Sequence, residues 1–219
     1  MGAENLNPSV FSAYDYGFRR DAHQLLAWAY QDALQRIHCK LQEEEITGFI
    51  AEEIEKKLDD PSLPERFDRY SISDEKPIAV EGRTGKNRRR LDLVIVSGHN
   101  RPRPKYIFEA KRLRKNSHPI SLYTGEDGLK CYVSGVYASQ YPEAAMIGYI
   151  QSDTPTYWEK ELKRNLDNDS SNSLCIKQTL QKVQVLASLS NEWVSEHERQ
   201  RRNSITVYHI FLDCCASLP

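Results

Sequence analysis

The sequence lacks the patterns that mark secreted and membrane proteins. No run of apolar residues approaches the length of about 18 that a transmembrane helix needs. The start of the chain has no basic segment followed by an apolar one, so we expect no secretory signal. The five cysteines are an odd number, and none of them forms a C-x-x-C pair or stands at zinc-ligand spacing from a histidine. A disulfide framework and a zinc site are therefore not expected, and we predict reduced thiols, a cytoplasmic location and no membrane partner.

Charge is balanced in total but unevenly distributed. The formal net charge is −1, yet residues 81–115 hold twelve Lys or Arg against three acids. Such a basic block is typical of proteins that bind a polyanion, and the alternative is a solvated strand edge guarded by basic side chains. The basic residues that flank the apolar runs of this region are candidate contacts for nucleic acid: Arg88, Arg89, Arg90, Arg112, Arg114 and Lys115.

Hydrophobic periodicity predicts an alternation of helices and strands, which places the chain in the α/β or α+β classes. Two helices are expected between Arg20 and Leu58, with a break near His38–Lys40 or at Gly48. Apolar runs predict strands at 91–98, 105–111, 144–150 and 205–213, with a short strand near 69–73 or 78–80. Helical spacing predicts further helices at 128–139, 157–166 and 176–194, and the first of these would bury Tyr132 and Tyr137.

Three charged residues stand where two of these strands end. Glu109 and Lys111 are two apart on the strand 105–111 and therefore share a face. A hairpin that is symmetric about the middle of its tip, between residues 100 and 101, places Asp92 opposite Glu109. Opposed carboxylates repel unless something compensates them. A divalent cation such as Mg²⁺ or Mn²⁺ is the natural compensation, because it takes oxygen ligands and can polarise a phosphate.

The Glu-x-Lys pattern alone is weak evidence, because it also occurs at Glu55/Lys57 and Glu161/Lys163. Most such pairs are exposed ion pairs that contribute less than about 1 kcal/mol. Only Glu109/Lys111 ends an apolar strand and follows an aspartate by one hairpin. This combination favours an active site over a surface ion pair.

The segments RRRLDLVIV and YIFEAKRL together resemble the PD-(D/E)-x-K nuclease superfamily, which has the restriction-endonuclease-like fold. Asp92 matches the aspartate of the motif, Glu109 its second acid and Lys111 its lysine, whereas Leu91 replaces the proline. The resemblance implies an αβββαβ core over residues 43–151, with a mixed central sheet flanked by helices. Residues 1–42 would then be an N-terminal helical extension, and residues 152–219 a C-terminal elaboration of helices plus a strand, all within one domain.

The same resemblance implies a Mg²⁺-dependent endonuclease. Asp92, Glu109 and the Ala110 carbonyl would hold the metal, and Lys111 would position or activate water. A glutamate of the first core helix would assist; Glu43 is favoured because it continues the buried face, with Glu45 second, and the alternative is an acidic first turn that complements the helix dipole. DNA is favoured over RNA as substrate, in prokaryotic defence, restriction or repair, with a homodimer or a partner protein supplying specificity.

Two other interpretations remain open at this stage. The chain could be a non-catalytic nucleic-acid or protein-binding module built on a nuclease fold, which the basic block alone would satisfy. It could also be an unrelated α/β interaction protein in which the motif is a coincidence. The distance and facing of Asp92 and Glu109 distinguish the second interpretation, because a coincidental motif has no reason to bring them together.

Overall fold

The computed structural model describes residues 8–77, 90–98, 101–199 and 202–215. Within these ranges the chain forms one seven-stranded mixed sheet with helices on both faces. No helix among these residues is both long and apolar enough to cross a membrane. The helices are α1 (Pro8–Ala33), α2 (Glu43–Leu58), α3 (Ile120–Tyr123), α4 (Leu129–Val133) and α5 (Pro155–Asp167). The strands are β1 (Tyr70–Pro77), β2 (Arg90–Ser97), β3 (Lys105–Leu113), β4 (Glu143–Ile150), β5 (Ile176–Lys182), β6 (Glu192–Arg199) and β7 (Arg202–Asp213).

The sheet has the order β1-β2-β3-β4-β7-β6-β5. Strands β3, β4 and β7 run parallel to one another in the centre of the sheet, and the other neighbouring pairs are antiparallel. Parallel strands are covered on both faces, which explains why β4 is almost wholly apolar. From α2 to β4 the element order is helix, three strands, two short helices, strand.

Each face of the sheet buries its own apolar core. Helices α1 and α2 pack on one face, against residues such as Leu93 and Phe108. Helices α4 and α5 pack on the other, against residues such as Val94 and Ile107. The predicted break near His38–Lys40 is confirmed, since α1 ends at Ala33 and α2 begins at Glu43, whereas the alternative break at Gly48 is wrong because Gly48 lies inside α2.

The strands predicted at 91–98, 105–111, 144–150 and 205–213 are all present as β2, β3, β4 and β7. The predicted strand near 69–73 is β1, and the alternative at 78–80 lies outside the described residues. The helix predicted at 157–166 is α5, which begins with Thr154 accepting a hydrogen bond from the Tyr157 N–H.

The predicted helix at 128–139 is too long. Helix α4 ends at Val133, and the backbone then turns at Gly135, whose φ is +75°, and at Ala138, whose φ is +50°. These left-handed conformations cannot continue a right-handed helix. The predicted burial of Tyr132 and Tyr137 is nevertheless confirmed.

The predicted helix at 176–194 is wrong. This segment forms strand β5, a connection, and the start of β6, and it pairs onward to β7. The C-terminal part of the chain therefore contributes one helix and three strands rather than several helices and one strand. Pairing with β7 outweighed a local pattern that suits a helix.

Candidate active site

The hairpin of β2 and β3 has the register that the sequence predicts. Leu93 pairs with Phe108, and the pairing continues without a shift to Val96 and Lys105. The ladder ends at the Leu93–Phe108 pair, and Asp92 and Glu109 are the next residues of their strands, close enough for the charge of Asp92 to raise the pKa of Glu109. The two carboxylates therefore meet on the sheet face that packs against α4 and α5.

Lys111 lies at the centre of the cluster. Its Nζ donates hydrogen bonds to Glu43 Oε1 at 2.8 Å, to Glu109 Oε1 at 2.9 Å and to the Ala110 carbonyl at 2.6 Å. The lysine side chain is only 16% exposed. The lysines of the two other Glu-x-Lys pairs instead contact Asp32 and Asp167 and are 32% and 51% exposed. Only the Glu-x-Lys pair at Glu109 is built into a buried network.

Asp92 is tied to the same network through the backbone. Its Oδ2 accepts a hydrogen bond of 2.6 Å from the Ala110 N–H. Glu109 is buried, whereas Asp92, Lys111 and Glu43 keep part of their surface in contact with solvent. Solvent therefore reaches the cluster on the side of these three residues.

The glutamate that joins the cluster from α2 is Glu43. Its Oε1 accepts from Lys111 and its Oε2 accepts from the Arg112 N–H at 3.0 Å. Glu45 is instead part of the capping box of α2, with its Oε2 accepting from the Gln42 N–H at 2.7 Å. The structure thus separates a glutamate that reaches β3 from one that caps the helix.

The pKa shifts follow from burial and crowding. Burial raises the pKa of Asp92 to about 6, although Lys111 and the Ala110 N–H lower it in part. Burial and then the charge of Asp92 raise the pKa of Glu109 well above its ordinary value. Two coupled carboxyl groups of this kind hold one proton more tightly than a lone carboxyl does.

The pKa of Lys111 shifts upward, in the direction that keeps the side chain charged. Burial works against the ammonium form, but Glu109, Glu43 and Asp92 outweigh burial and raise the pKa of Lys111 above its usual value. The lysine is consequently a cation and a hydrogen-bond donor at neutral pH, and it cannot act there as a base.

One buried atom of the cluster lacks a partner. Glu109 Oε2 is buried and accepts no hydrogen bond. A buried carboxylate oxygen without a partner is unfavourable. A cation or a proton shared by Asp92 and Glu109 would remove this cost. Within the described ranges no group of three or more His, Cys, Asp or Glu side chains is arranged to hold a metal ion. Besides Glu43, which binds Lys111 and the Arg112 N–H, the cluster holds the carboxylates of Asp92 and Glu109 and the Ala110 carbonyl. Mg²⁺ commonly takes one or two carboxylates and completes its shell with water.

No protein-family model, curated protein or solved structure matches this chain.

The basic candidates occupy different positions around the cluster. Arg88 and Arg89 lie outside the described residues. Arg90 is exposed at the start of β2, two residues before Asp92. Arg112 is partly exposed, and its backbone N–H holds Glu43. Arg114 and Lys115 are exposed just after β3, so all four described residues flank the cluster without belonging to it.

Two residues near the cluster were not predicted from the sequence. Gln151 is buried at the end of β4 and donates a hydrogen bond of 2.7 Å to the Leu41 carbonyl, two residues before Glu43. His118 lies near the rim, where burial and then Arg112 lower its pKa. An isolated glutamine after a strand and an isolated histidine in a basic loop carry no spacing pattern, so sequence reasoning had no basis for selecting either.

Proposed function

We propose that this protein is a metal-dependent nuclease that hydrolyses phosphodiester bonds, with DNA as the favoured substrate. The observation that carries the proposal is the convergence of Asp92, Glu109 and Glu43 on Lys111 at the carboxyl end of a buried strand. A purely structural ion pair has no need for a third carboxylate or for a carboxylate oxygen left without a partner.

Asp92, Glu109 and the Ala110 carbonyl are the groups that would hold Mg²⁺ or Mn²⁺. When bound, such an ion polarises a phosphoryl oxygen and lowers the pKa of a coordinated water. The two carboxylates give this place a charge that suits a divalent cation. Burial raises the pKa of both carboxyl groups, and the charge of Asp92 adds to the rise at Glu109, which supports the proposal that a cation would be favourable here.

Lys111 acts as a donor rather than as a base in this proposal. Because its pKa is raised, its ammonium group can orient the attacking water or stabilise negative charge on the phosphoryl oxygens. Glu43 fixes the direction of that group, since one carboxylate oxygen binds Lys111 and the other is held by the Arg112 N–H. Glu43 is thus a positioning residue for the lysine.

The order of elements from α2 to β4 is consistent with the resemblance to the PD-(D/E)-x-K superfamily and supports a restriction-endonuclease-like core. The place of the cluster on the central hairpin supports it as well. Fold-level likeness is an analogy, so the chemical proposal depends on the cluster and not on the fold.

The proposal is tested by incubating the purified chain with supercoiled plasmid and with Mg²⁺ or Mn²⁺. Wild type is expected to nick or linearise the plasmid, and Lys111→Ala is expected to lower the rate by about two orders of magnitude or more, as loss of a charge-stabilising donor does in other enzymes. Lys163→Ala is the matched control, because it removes the lysine of another Glu-x-Lys pair that lies on the surface. Equal cleavage by wild type and Lys111→Ala would overturn the proposal, as would the absence of cleavage of any DNA or RNA.

A further inference from the structure

A second concave surface lies on the same sheet face as the carboxylate cluster. Val96 of β2 pairs with Ser71 of β1 and with Lys105 of β3. Paired residues share a face, and side chains alternate along each strand. Lys105 therefore points to the same face as Glu109, and Val96 points to the same face as Asp92.

A cavity of about 420 Å³ opens over this part of the sheet. Its polar lining combines two cations, two hydroxyls, an amide and a phenol ring, and we refer to it as the basic groove: Ser71, Ser73, Arg103, Lys105, Gln140 and Tyr141. Cations and hydroxyls bind phosphate oxygens, and an aromatic ring offers a surface on which a base can stack.

The cations of the basic groove are available to a ligand. Neither Arg103 nor Lys105 forms an ion pair among the residues that the structure describes. Glu143, which shares a neighbouring cavity with Lys105, is paired with Arg19 at 2.5 Å. Two cations without carboxylate partners in a concave site are complementary to a polyanion.

We infer that the basic groove binds the phosphate backbone of a nucleic-acid strand at a fixed distance from the bond cut at the cluster; this inference rests on the proposed function. Lys105 precedes Glu109 by four residues on β3, which corresponds to about 13 Å along an extended strand. A duplex rises about 3.4 Å per nucleotide, so the groove is roughly four nucleotides from the scissile phosphate. Binding in the basic groove therefore determines the minimum length of nucleic acid that must extend beyond one side of the cleaved bond.

Binding is measured separately from cleavage. Fluorescence anisotropy of a labelled 20-base-pair DNA duplex in EDTA reports affinity without hydrolysis. Lys105→Ala and Arg103→Ala are each expected to weaken binding by about threefold to tenfold and to reduce the salt dependence of binding by about one phosphate contact. Lys177→Ala is the control, because it removes the same charge from β5 at the opposite edge of the sheet and is expected to leave affinity unchanged.

The position of the groove is tested with duplexes shortened on one side of the cleavage site. The effect of Lys105→Ala on cleavage should vanish when fewer than roughly four base pairs remain on that side. Equal effects of Lys105→Ala and Lys177→Ala on affinity would overturn the inference. Displacement of DNA by polyglutamate at the same charge concentration would overturn it too, because the groove would then recognise acidic protein. Cleavage that does not depend on Lys105 would contradict the role of the basic groove but not the proposed nuclease activity. Binding that depends on Lys105 without any cleavage would contradict the nuclease activity but not the role of the groove.

Discussion

At the scale of single residues, the cluster depends on how Asp92 and Glu109 share charge with Lys111. The facing of the two carboxylates was predictable from the sequence, because strand periodicity and a symmetric hairpin leave little freedom in which residues oppose each other. Helical periodicity favoured Glu43 over Glu45 without settling the choice, and Glu43 is the residue that contacts Lys111. The two residues are two positions apart in one helical turn, and the packing of α2 against β3 decides which of them reaches Lys111.

The raised pKa of Asp92 gives a prediction about stability. The carboxyl binds a proton more tightly in the folded chain, with its pKa near 6, than in the unfolded chain, with its pKa near 3.8. The contribution of Asp92 to the free energy of unfolding must therefore fall as pH rises from about 4 to about 6. Asn carries no ionisable group, so Asp92→Asn does not lose unfolding free energy through this ionisation. In EDTA at pH 8 the variant should therefore be more stable than wild type by about 1–3 kcal/mol.

Urea denaturation at a series of pH values measures this effect. The difference in unfolding free energy between Asp92→Asn and wild type should grow through the window from about pH 4 to about pH 6 and then level off. Asp153→Asn, at an exposed aspartate, is the control for the same chemical change made outside the cluster. If Asp92→Asn is less stable than wild type at pH 8, the charged carboxylate of Asp92 stabilises the folded chain, contrary to this prediction.

At the scale of elements, β4 illustrates how closely the central strands are packed. Gly148 pairs with Lys111 across β3 and β4. A Cβ added at Gly148 would lie 2.6 Å from both Leu113 Cδ1 and Phe211 Cδ1. The absence of a side chain at this position therefore lets β3, β4 and β7 pack together beneath the cluster.

Two glycine substitutions should have opposite effects on stability. Gly148→Ala forces Leu113 and Phe211 to move and should lower the free energy of unfolding by about 1–3 kcal/mol. Gly48→Ala, in the middle of α2 where an added Cβ meets nothing within 4 Å, should raise it by up to about 1 kcal/mol through helix propensity. Urea denaturation of both variants checks the pair, and a loss of stability at both positions would show that α2 has no room for the extra methyl group.

The C-terminal elements were the least predictable from sequence. Strand β6 carries Ser195 and His197 on a buried face, where Ser195 Oγ contacts His197 Nε2 at 2.7 Å and His209 Nε2 at 2.8 Å. Buried polar residues hide the alternation of apolar and polar side chains that identifies a strand. The hydrogen bond from Ser195 to His209 joins β6 to β7 across fourteen residues of sequence, so no local pattern reports it.

At the scale of the whole molecule, the sheet joins parts of the chain that are distant in sequence. Strand β7 lies beside β4, and β6 and β5 extend the sheet outward from it. Helix α1 is fastened to this part by His23, whose Nδ1 lies 2.7 Å from Glu192 Oε1 in the core. The alternation of helices and strands indicated the fold class, but strand order depends on long-range pairing that no local pattern encodes.

We propose that Asp92 and Glu109 form a divalent-cation site, and calorimetric titration of the full chain with Mn²⁺ tests this proposal. We expect one ion to bind per chain, with a proton released into the buffer because the coupled carboxyl pair holds a proton more tightly than a lone carboxyl does. Asp92→Asn should abolish this binding, and Asp153→Asn should retain it. Absence of bound Mn²⁺, or equal binding by wild type and Asp92→Asn, would show that these carboxylates do not form a cation site.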